Sequence, residues 1–175
     1  TRNGLNKMVL KQDKVSSVQK IYHDPDKKDG LTANYISFLH KDSTGQLWIG
    51  TLGGGLCRMV NSRNDNTFSF EAFTQNNGLV NNDVEGILED AKGNLWLSGE
   101  GITKFNYAKK TFRHYTVEDG LQSNSFKIWS AYKNNSGELM FGGINGFNIF
   151  NPENITDNPI PPKVSITELK VSTRL

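Results

Sequence analysis

The stretch TGQLWIGT, from Thr44 to Thr51, decides the fold because it occurs three times. It returns as KGNLWLSG from Lys92 to Gly99 and, in a looser form, as SGELMFGG from Ser136 to Gly143. Each copy has a polar turn with glycine, followed by alternating apolar and small residues, which is the pattern of a strand after a tight turn. A chain that repeats one such hairpin is built from units that stack on one another.

Each copy lies in a longer unit that begins with Gly-Leu: DGLTANYISFL from Asp29, NGLVNNDVEGI from Asn77 and DGLQSNSFKIW from Asp119. A second glycine opens a third apolar segment, and two units close with an aromatic run, FSFEAFT from Phe68 and TFRHYTV from Thr111. Units of about 45 residues with four short strands are typical of propeller blades. We therefore predict an all-β fold, a partial β-propeller of four-stranded antiparallel blades.

Several positions keep the same residue type in two or all three units, and each has a physical reason. Glycine in the hairpin suits a positive φ, an aspartate three residues earlier can cap the turn, and the tryptophan can fill the gap between blades. An asparagine four residues after the first glycine predicts a repeated backbone cap. The turn glycines are Gly45, Gly93 and Gly137, the caps Asp42 and Asp90, the wedges Trp48 and Trp96, and the asparagines Asn34, Asn82 and Asn124.

The repeat also divides the chain. TRNGLNKMV from Thr1 matches the start of a third strand, so we expect the outer strands of an incomplete blade over 1–28. The third unit has Met140 in place of tryptophan and two extra residues, which we place in its turn, from Lys133 to Glu138. The other expected units are blades over 29–76 and 77–118, a three-stranded blade over 119–151, and a proline-rich linker with the first strand of another domain over 152–175.

The composition of the chain argues against several classes of function. The 175 residues have a net charge of +2, with basic residues spread along the chain, which gives little support for nucleic-acid binding. No apolar run approaches the roughly 18 residues of a membrane-spanning helix. Cys57, the only cysteine, excludes an internal disulfide and is expected to be a half-buried, unreactive thiol. The three histidines fall at different repeat positions, so we predict no catalytic residues, no metal site and no cofactor.

The segments that enter the first strand of each blade are the candidate ligand site, because loops on one face of a propeller carry most ligand contacts. Aromatic rings stack on sugars, and carboxylates and hydroxyls form hydrogen bonds with them. Solvated rim residues are the plain alternative, and Asp83 with Glu85, two apart on one strand, makes a poor hydrolase pair because nothing separates their pKa values. The candidate residues are Tyr35, Ser37, Asp83, Glu85, Ser125, Lys127 and Trp129.

The segments DGL, NNDVEGILEDAKGNLWLSG, GITKFN and FRHYT resemble the two-component regulator propeller repeat. This family occurs in the extracytoplasmic part of bacterial hybrid sensor histidine kinases, notably those of Bacteroidetes that sense polysaccharide fragments. The resemblance covers 1–151, and the tail from Pro152 is similar to the exit toward an immunoglobulin-like domain. It implies a fragment of a seven-bladed ring in the periplasm that is not itself an enzyme and contributes to oligosaccharide sensing and signal transmission.

Two other functions stay open at this point. The propeller could be a scaffold for protein interaction or dimerisation without a small ligand, or part of an enzyme whose catalytic blades lie elsewhere. The expected partners are an oligosaccharide, the remaining blades and the immunoglobulin-like domain of a parent kinase, and a second copy through unpaired strand edges. We expect no nucleic-acid partner and no membrane insertion by this segment.

Overall fold

The computed structural model describes residues 1–62 and 68–156, which form four antiparallel sheets. This confirms the all-β prediction and the four-stranded blades, whereas the predicted linker from 157 onward and the strand of a following domain lie outside the described residues. A half-blade contains β1 (Leu5–Lys11) and β2 (Lys14–Ile21), and blade A contains β3 (Ile36–Lys41), β4 (Leu47–Thr51), β5 (Leu56–Ser62) and β6 (Phe68–Phe73). Blade B contains β7 (Gly86–Glu89), β8 (Leu95–Gly99), β9 (Gly101–Asn106) and β10 (Thr111–Tyr115). Blade C contains β11 (Phe126–Lys133), β12 (Leu139–Gly143) and β13 (Gly146–Phe150). Short 3₁₀ turns lie at Gln75–Asn77, Val117–Asp119 and Pro152–Asn154.

The hairpin between the first two strands of each blade has the predicted geometry. Gly45, Gly93 and Gly137 have φ values of 87°, 77° and 87°. In blade A, Asp42 Oδ1 accepts hydrogen bonds from the backbone N–H groups of Thr44 and Gln46, both at 2.9 Å. Asp90 makes the same pair of bonds in blade B. The repeated Asp-x-x-Gly sequence is therefore a turn-forming element, as predicted.

The second carboxylate oxygen of these aspartates explains why tryptophan follows. Asp90 Oδ2 accepts from the Trp96 indole N–H at 2.9 Å and from the Asn94 side-chain amide at 2.8 Å. In blade C the cap is Asn134, whose amide nitrogen donates to Glu138 Oε2 at 2.7 Å. An amide nitrogen cannot accept a hydrogen bond from an indole N–H. A tryptophan in blade C would therefore lack an acceptor, and Met140, which has no N–H donor in its side chain, stands in its place.

The core lies between blades rather than within them. Trp48 of blade A packs against Leu95 and Phe105 of blade B, and Trp96 of blade B packs against Leu139 and Phe141 of blade C. The two indoles are 2% and 0% exposed, so their predicted role as wedges is confirmed. The half-blade covers the other face of blade A through a third cluster, formed by Leu5, Leu31, Ile36, Ile49, Cys57, Phe68 and Phe70.

The repeated asparagine ties each blade to the one before it. The Asn82 carbonyl accepts from the N–H of Gly55, where β5 is about to begin in blade A, and its side-chain Oδ1 accepts from the N–H of Gln75. Asn124 forms the equivalent two bonds with Gly101 and Val117. The predicted capping role is confirmed, and Asn34 makes the same bonds to Gly4 and His23.

Two sequence-based expectations were wrong. Cys57 is fully buried rather than half-buried, and burial raises the pKa of its thiol. The two extra residues of the third unit do not lie in the turn, because Asn134 caps it over the same span as Asp42 does in blade A. They lie in β11, whose register with β12 shifts between Phe126 and Ala131. This irregular stretch contains Trp129.

We expect Asp90→Asn to destabilise the protein by roughly 1–2 kcal/mol at neutral pH, because the buried Trp96 indole loses its acceptor. Burial opposes ionisation of Asp90, but the hydrogen bonds from Asn94, Trp96 and Lys92 together lower its pKa. A carboxyl with a lowered folded pKa contributes stability that is present above its unfolded pKa and is lost as the pH falls through the folded value. The variant should therefore lose less stability between pH 5 and 2, measured by urea unfolding.

The matched control is Asp26→Asn, which removes a negative charge from an exposed turn. It should change the unfolding free energy by less than about 0.5 kcal/mol. An acid dependence in Asp90→Asn as steep as in the unmodified protein would contradict the role given to this carboxylate.

Candidate ligand-binding face

The three first strands, β3, β7 and β11, contact one another at the inner edges of their blades. The segments that enter them are therefore close together, although they are far apart in sequence. The candidate residues fall into two groups on this face. One group lies around Trp129, and the other around Glu85.

Trp129 is the most exposed large apolar residue of the described part, with 76% of its surface accessible. Its φ of 69° is unusual for a bulky residue and costs backbone energy. Bulges that redirect a side chain are over-represented next to functional sites. Here the indole lines a cleft of about 450 Å³ together with Met8, Phe38 and Leu39.

The charged group contains Asp83, Glu85 and Lys127. Both carboxylates precede β7, which begins at Gly86, so the expectation that they lie on a strand was wrong. Burial raises the pKa of Glu85, Lys127 lowers it and Asp83 raises it. Glu85 Oε2 is buried without a hydrogen-bond partner among the described residues.

Several predicted residues already have partners within the protein. Asp83 Oδ1 accepts from the Gly53 N–H at 2.6 Å, so it holds a turn of blade A. Ser37 is 1% exposed, and its hydroxyl donates to the Val84 carbonyl. Tyr35 is half-buried with the Arg2 guanidinium 5.6 Å from its ring centre. Ser125 and Lys127 are exposed.

The apolar wall of the cleft was missed by sequence reasoning. It is formed by β1 and β3, and includes Leu5, Ile36, Phe38 and Leu39. Phe38 and Leu39 are adjacent apolar residues, which breaks the alternation expected of a strand. That break coincides with a register shift between Ile36 and Phe38 and was the available signal.

A polar cluster between blades A and B was also missed. Glu71 accepts hydrogen bonds from Arg58 at 3.2 Å, from Tyr107 at 3.0 Å and from Lys110 at 2.8 Å. Lys110 Nζ also lies 3.6 Å from the centre of the Tyr107 ring. The cluster joins blade A to the β9–β10 turn of blade B, so its role is structural.

No set of three or more His, Cys, Asp or Glu residues in the described part of the chain is arranged to hold a metal ion. Within 1–62 and 68–156, no helix has the length and apolar character needed to cross a membrane.

Residues 30–53 and 78–101 match the family model of the two component regulator propeller. Two stretches of the chain therefore match the repeat of this family. The two matched stretches run from the Gly-Leu start through the hairpin of blades A and B, which are the segments that supply the turn caps and the wedges. The resemblance seen in the sequence is confirmed.

The chain is similar to part of a histidine kinase and to two extracellular domains of known structure. The chain is 38% identical over 98 residues to histidine kinase P4 of Formosa agariphila, which covers 55% of this chain and 7% of that protein. An extracellular domain of B. thetaiotaomicron, described as part of hybrid two component system BT3049, is 24% identical with a TM-score of 0.49, over 87% of this chain and 26% of that one. A second, from system BT4673, is 17% identical with a TM-score of 0.48, over 93% and 28%. The chain thus spans a small part of each.

Proposed function

We propose that this two component regulator propeller segment is a non-catalytic part of the sensor region of a hybrid histidine kinase, and that it contributes to oligosaccharide binding on the face around Trp129. The observation that carries the proposal is the exposed indole, held by a left-handed backbone over a cleft of about 450 Å³. A flat aromatic face beside an open cleft suits the apolar face of a sugar ring.

The neighbouring carboxylate supports the same ligand class. Glu85 is half-buried beside Lys127, which favours the ionised form of its carboxyl, and a carboxylate accepts hydrogen bonds from sugar hydroxyls. The histidine kinase relative, and the extracellular domains with which the chain shares its fold, support a position outside the cytoplasm, and we place the segment in the periplasm. The remaining blades and an immunoglobulin-like domain of the parent are its proposed partners.

Sensing requires that the ligand bind one arrangement of the blades and the next domain better than another. Lys92 pairs with Glu153 at 2.6 Å, which links a turn of blade B to the segment that leaves the last strand of blade C. We propose that a change in blade packing passes through this exit segment toward the membrane.

The proposal is tested with a glycan array, followed by calorimetry of each hit on this chain and on the parent ectodomain. Trp129→Ala is expected to weaken binding about tenfold, the effect of losing one stacking contact of about 1.4 kcal/mol. The matched control is Tyr132→Ala, which removes another exposed aromatic from β11. Oligosaccharide binding that is unaffected by Trp129→Ala would contradict the site.

The array also separates the alternative function. A scaffold would give no heat with any oligosaccharide, together with a mass in light scattering that rises with protein concentration. The large apolar side chains of the half-blade support a contact with other blades, since Met8, Leu10 and Val15 are each more than half exposed.

A further inference from the structure

The dipeptide Asn-Gly occurs at three places in the chain, beginning at Asn3, Asn77 and Asn145. Asparagine is a chemically labile residue. A following glycine favours loss of its amide as ammonia, because glycine has no side chain to shield the next backbone nitrogen and gives the backbone freedom to bend toward the carboxamide. The local sequence makes the three sites similar, so a difference in their reactivity must come from the fold.

The site at Asn77 is held by hydrogen bonds on both reacting groups. Asn77 Oδ1 accepts from the backbone N–H of Thr74 at 2.9 Å and from its hydroxyl at 3.2 Å. The nitrogen that would attack belongs to Gly78, and its N–H donates to the Gln75 carbonyl at 3.1 Å. The site is also closed in, since a Cβ added to Gly78 would lie 2.9 Å from the Phe112 ring.

The site at Asn3 is held through its attacking nitrogen. The N–H of Gly4 donates to the Asn34 carbonyl at 2.8 Å. A Cβ added to Gly4 would overlap the carbonyl oxygen of Ile21, so the backbone here is packed against β2. The Gly4 nitrogen therefore cannot turn toward the Asn3 carboxamide while this packing persists.

The third site lies in the open, in the turn between β12 and β13. Asn145 and Gly146 are both exposed, and a Cβ added to Gly146 would have no atom within 4 Å. Among residues 1–62 and 68–156, no hydrogen bond holds the Asn145 carboxamide. Gly146 pairs in register with Gly143 at the end of the hairpin, and strand ends open more readily than their centres. Both reacting groups are thus free to meet.

The same turn holds the segment that enters β11. The backbone N–H of Asn145 donates to Gln122 Oε1 at 2.9 Å, and that of Ile144 donates to the Ser125 carbonyl at 3.2 Å. Ser125 is one of the candidate ligand-binding residues. A change in the backbone of this turn would therefore act directly on one edge of the candidate face.

Blade B shows that the fold accepts a carboxylate at this place. The residue before the glycine that opens the third strand is Asn145 in blade C and Glu100 in blade B. Glu100 is exposed and accepts a hydrogen bond from the Asn81 side-chain amide at 3.0 Å. Conversion of Asn145 to an acid would therefore leave the protein folded.

We propose that Asn145 and Gly146 form a self-modification site, at which Asn145 deamidates without an enzyme in the folded protein while Asn3 and Asn77 are protected. The isoaspartate product lengthens the backbone of the β12–β13 turn and releases its two hydrogen bonds to the segment that enters β11. The product also lowers the net charge of the chain from +2 to +1. The inference does not depend on oligosaccharide binding.

The reaction needs only water. The Gly146 nitrogen loses its proton and attacks Asn145 Cγ, a C–N bond forms, and the side-chain amide nitrogen leaves as ammonia after taking up a proton. Water then opens the cyclic imide at one of its two carbonyl carbons. One opening gives aspartate with the original backbone, and the other gives isoaspartate, in which the chain runs through the former side chain.

The test follows the amides of the whole 175-residue chain in warm, mildly alkaline buffer, by peptide mapping with mass spectrometry. In the folded protein, loss of the amide should be at least about tenfold faster at Asn145 than at Asn77. A tenfold ratio corresponds to about 1.4 kcal/mol, which is within the range expected for releasing the hydrogen bonds that hold Asn77. In concentrated urea the two rates should become similar, since each asparagine then precedes an unrestrained glycine.

A pair of variants assigns the acidic product to this site. Asn145→Gln should abolish the acidic species that ion exchange separates from the aged protein, because a longer side chain places the amide out of position for attack. The matched variant is Asn135→Gln, which changes an exposed asparagine in the β11–β12 turn that precedes serine rather than glycine. It should leave the acidic species unchanged.

The effect on the candidate face is measured by hydrogen exchange. The isoaspartate form is identified by labelling with isoaspartyl methyltransferase. In this form, the backbone N–H groups of residues 144 and 145 should exchange at least about tenfold faster than in the fresh protein, because their acceptors Gln122 and Ser125 are lost.

Three results would overturn the inference. Equal rates at Asn145 and Asn77 in the folded protein would show that the fold does not select the site. An intact Asn145 in the folded protein, after a time in which the unfolded chain reacts, would show that the turn protects it. Unchanged exchange at residues 144 and 145 in the isoaspartate form would show that the modification does not reach the segment that enters β11.

Discussion

Replacing Trp48 by alanine should lower the free energy of unfolding by about 3–5 kcal/mol, the range observed for large aromatic side chains in well-packed cores. The indole is 2% exposed and lies between blades A and B, with its ring centre 6.1 Å from Phe105 and 5.3 Å from Tyr107. Removal leaves a cavity between two rigid sheets and also leaves Asp42 without the indole N–H donor at 2.8 Å. Because domains of this size are stable by about 5–15 kcal/mol, the loss should be evident in urea unfolding followed by circular dichroism.

Two further variants show whether the loss of stability comes from the buried packing of Trp48 or only from the removal of a tryptophan. Trp129→Ala removes the same side chain from an exposed site and should change stability by less than about 0.5 kcal/mol. Trp48→Phe keeps most of the buried area but loses the N–H donor, so it should fall between alanine and the unmodified protein. Equal losses for Trp48→Ala and Trp129→Ala would show that the blades do not depend on the wedge.

The turns and wedges could be predicted from sequence because their causes are local. The cap, the glycine and the tryptophan lie within seven residues of one another, and each has a hydrogen bond or a backbone angle that requires its residue type. Asn82 was predictable for the same reason, since its side chain caps a segment seven residues away. Because these local interactions recur from blade to blade, the residues that make them recur in the sequence and can be recognised as a repeat.

The position of the two extra residues in the third unit could not be predicted from the sequence in this way. A turn and a strand can both absorb an insertion, and strand alternation in this unit is too weak to choose between them. The unused signal was the spacing from Asn134 to Glu138, which equals that from Asp42 to Gln46. An intact turn leaves only β11 for the insertion, and that insertion is what places Trp129 over the cleft.

Only part of the candidate site could be predicted from the sequence, because residues at equivalent positions of the repeat have different surroundings. Ser37 lies within β3 and is buried, whereas Glu85, its counterpart, precedes β7 and is half-buried. The cleft beside Trp129 combines residues from β1, β3 and β11, and Met8 and Trp129 are 121 residues apart in the sequence. No single-sequence pattern reports which strands of a propeller meet at its inner face.

Replacing Gly55 by alanine should destabilise the protein by about 3 kcal/mol, through two effects at one atom. The residue has a φ of 76°, which costs an L-residue roughly 1–2 kcal/mol. The added Cβ would also overlap the carbonyl oxygen of Phe73, and overpacking of this kind costs about 1–3 kcal/mol. Relief requires β6 to move away from β5, where Phe73 packs against Trp48. Urea unfolding of the purified variant gives the measurement.

Gly53→Ala is the matched control, two residues away in the same turn. Its φ of 86° imposes a similar backbone cost, but no atom lies within 4 Å of an added Cβ. The control should therefore lose only about 1–2 kcal/mol. The difference between the variants isolates the contact between the third-strand glycine and the end of the fourth strand. Equal losses would mean that backbone strain alone selects glycine here, and that the close approach of the fourth strand does not require it.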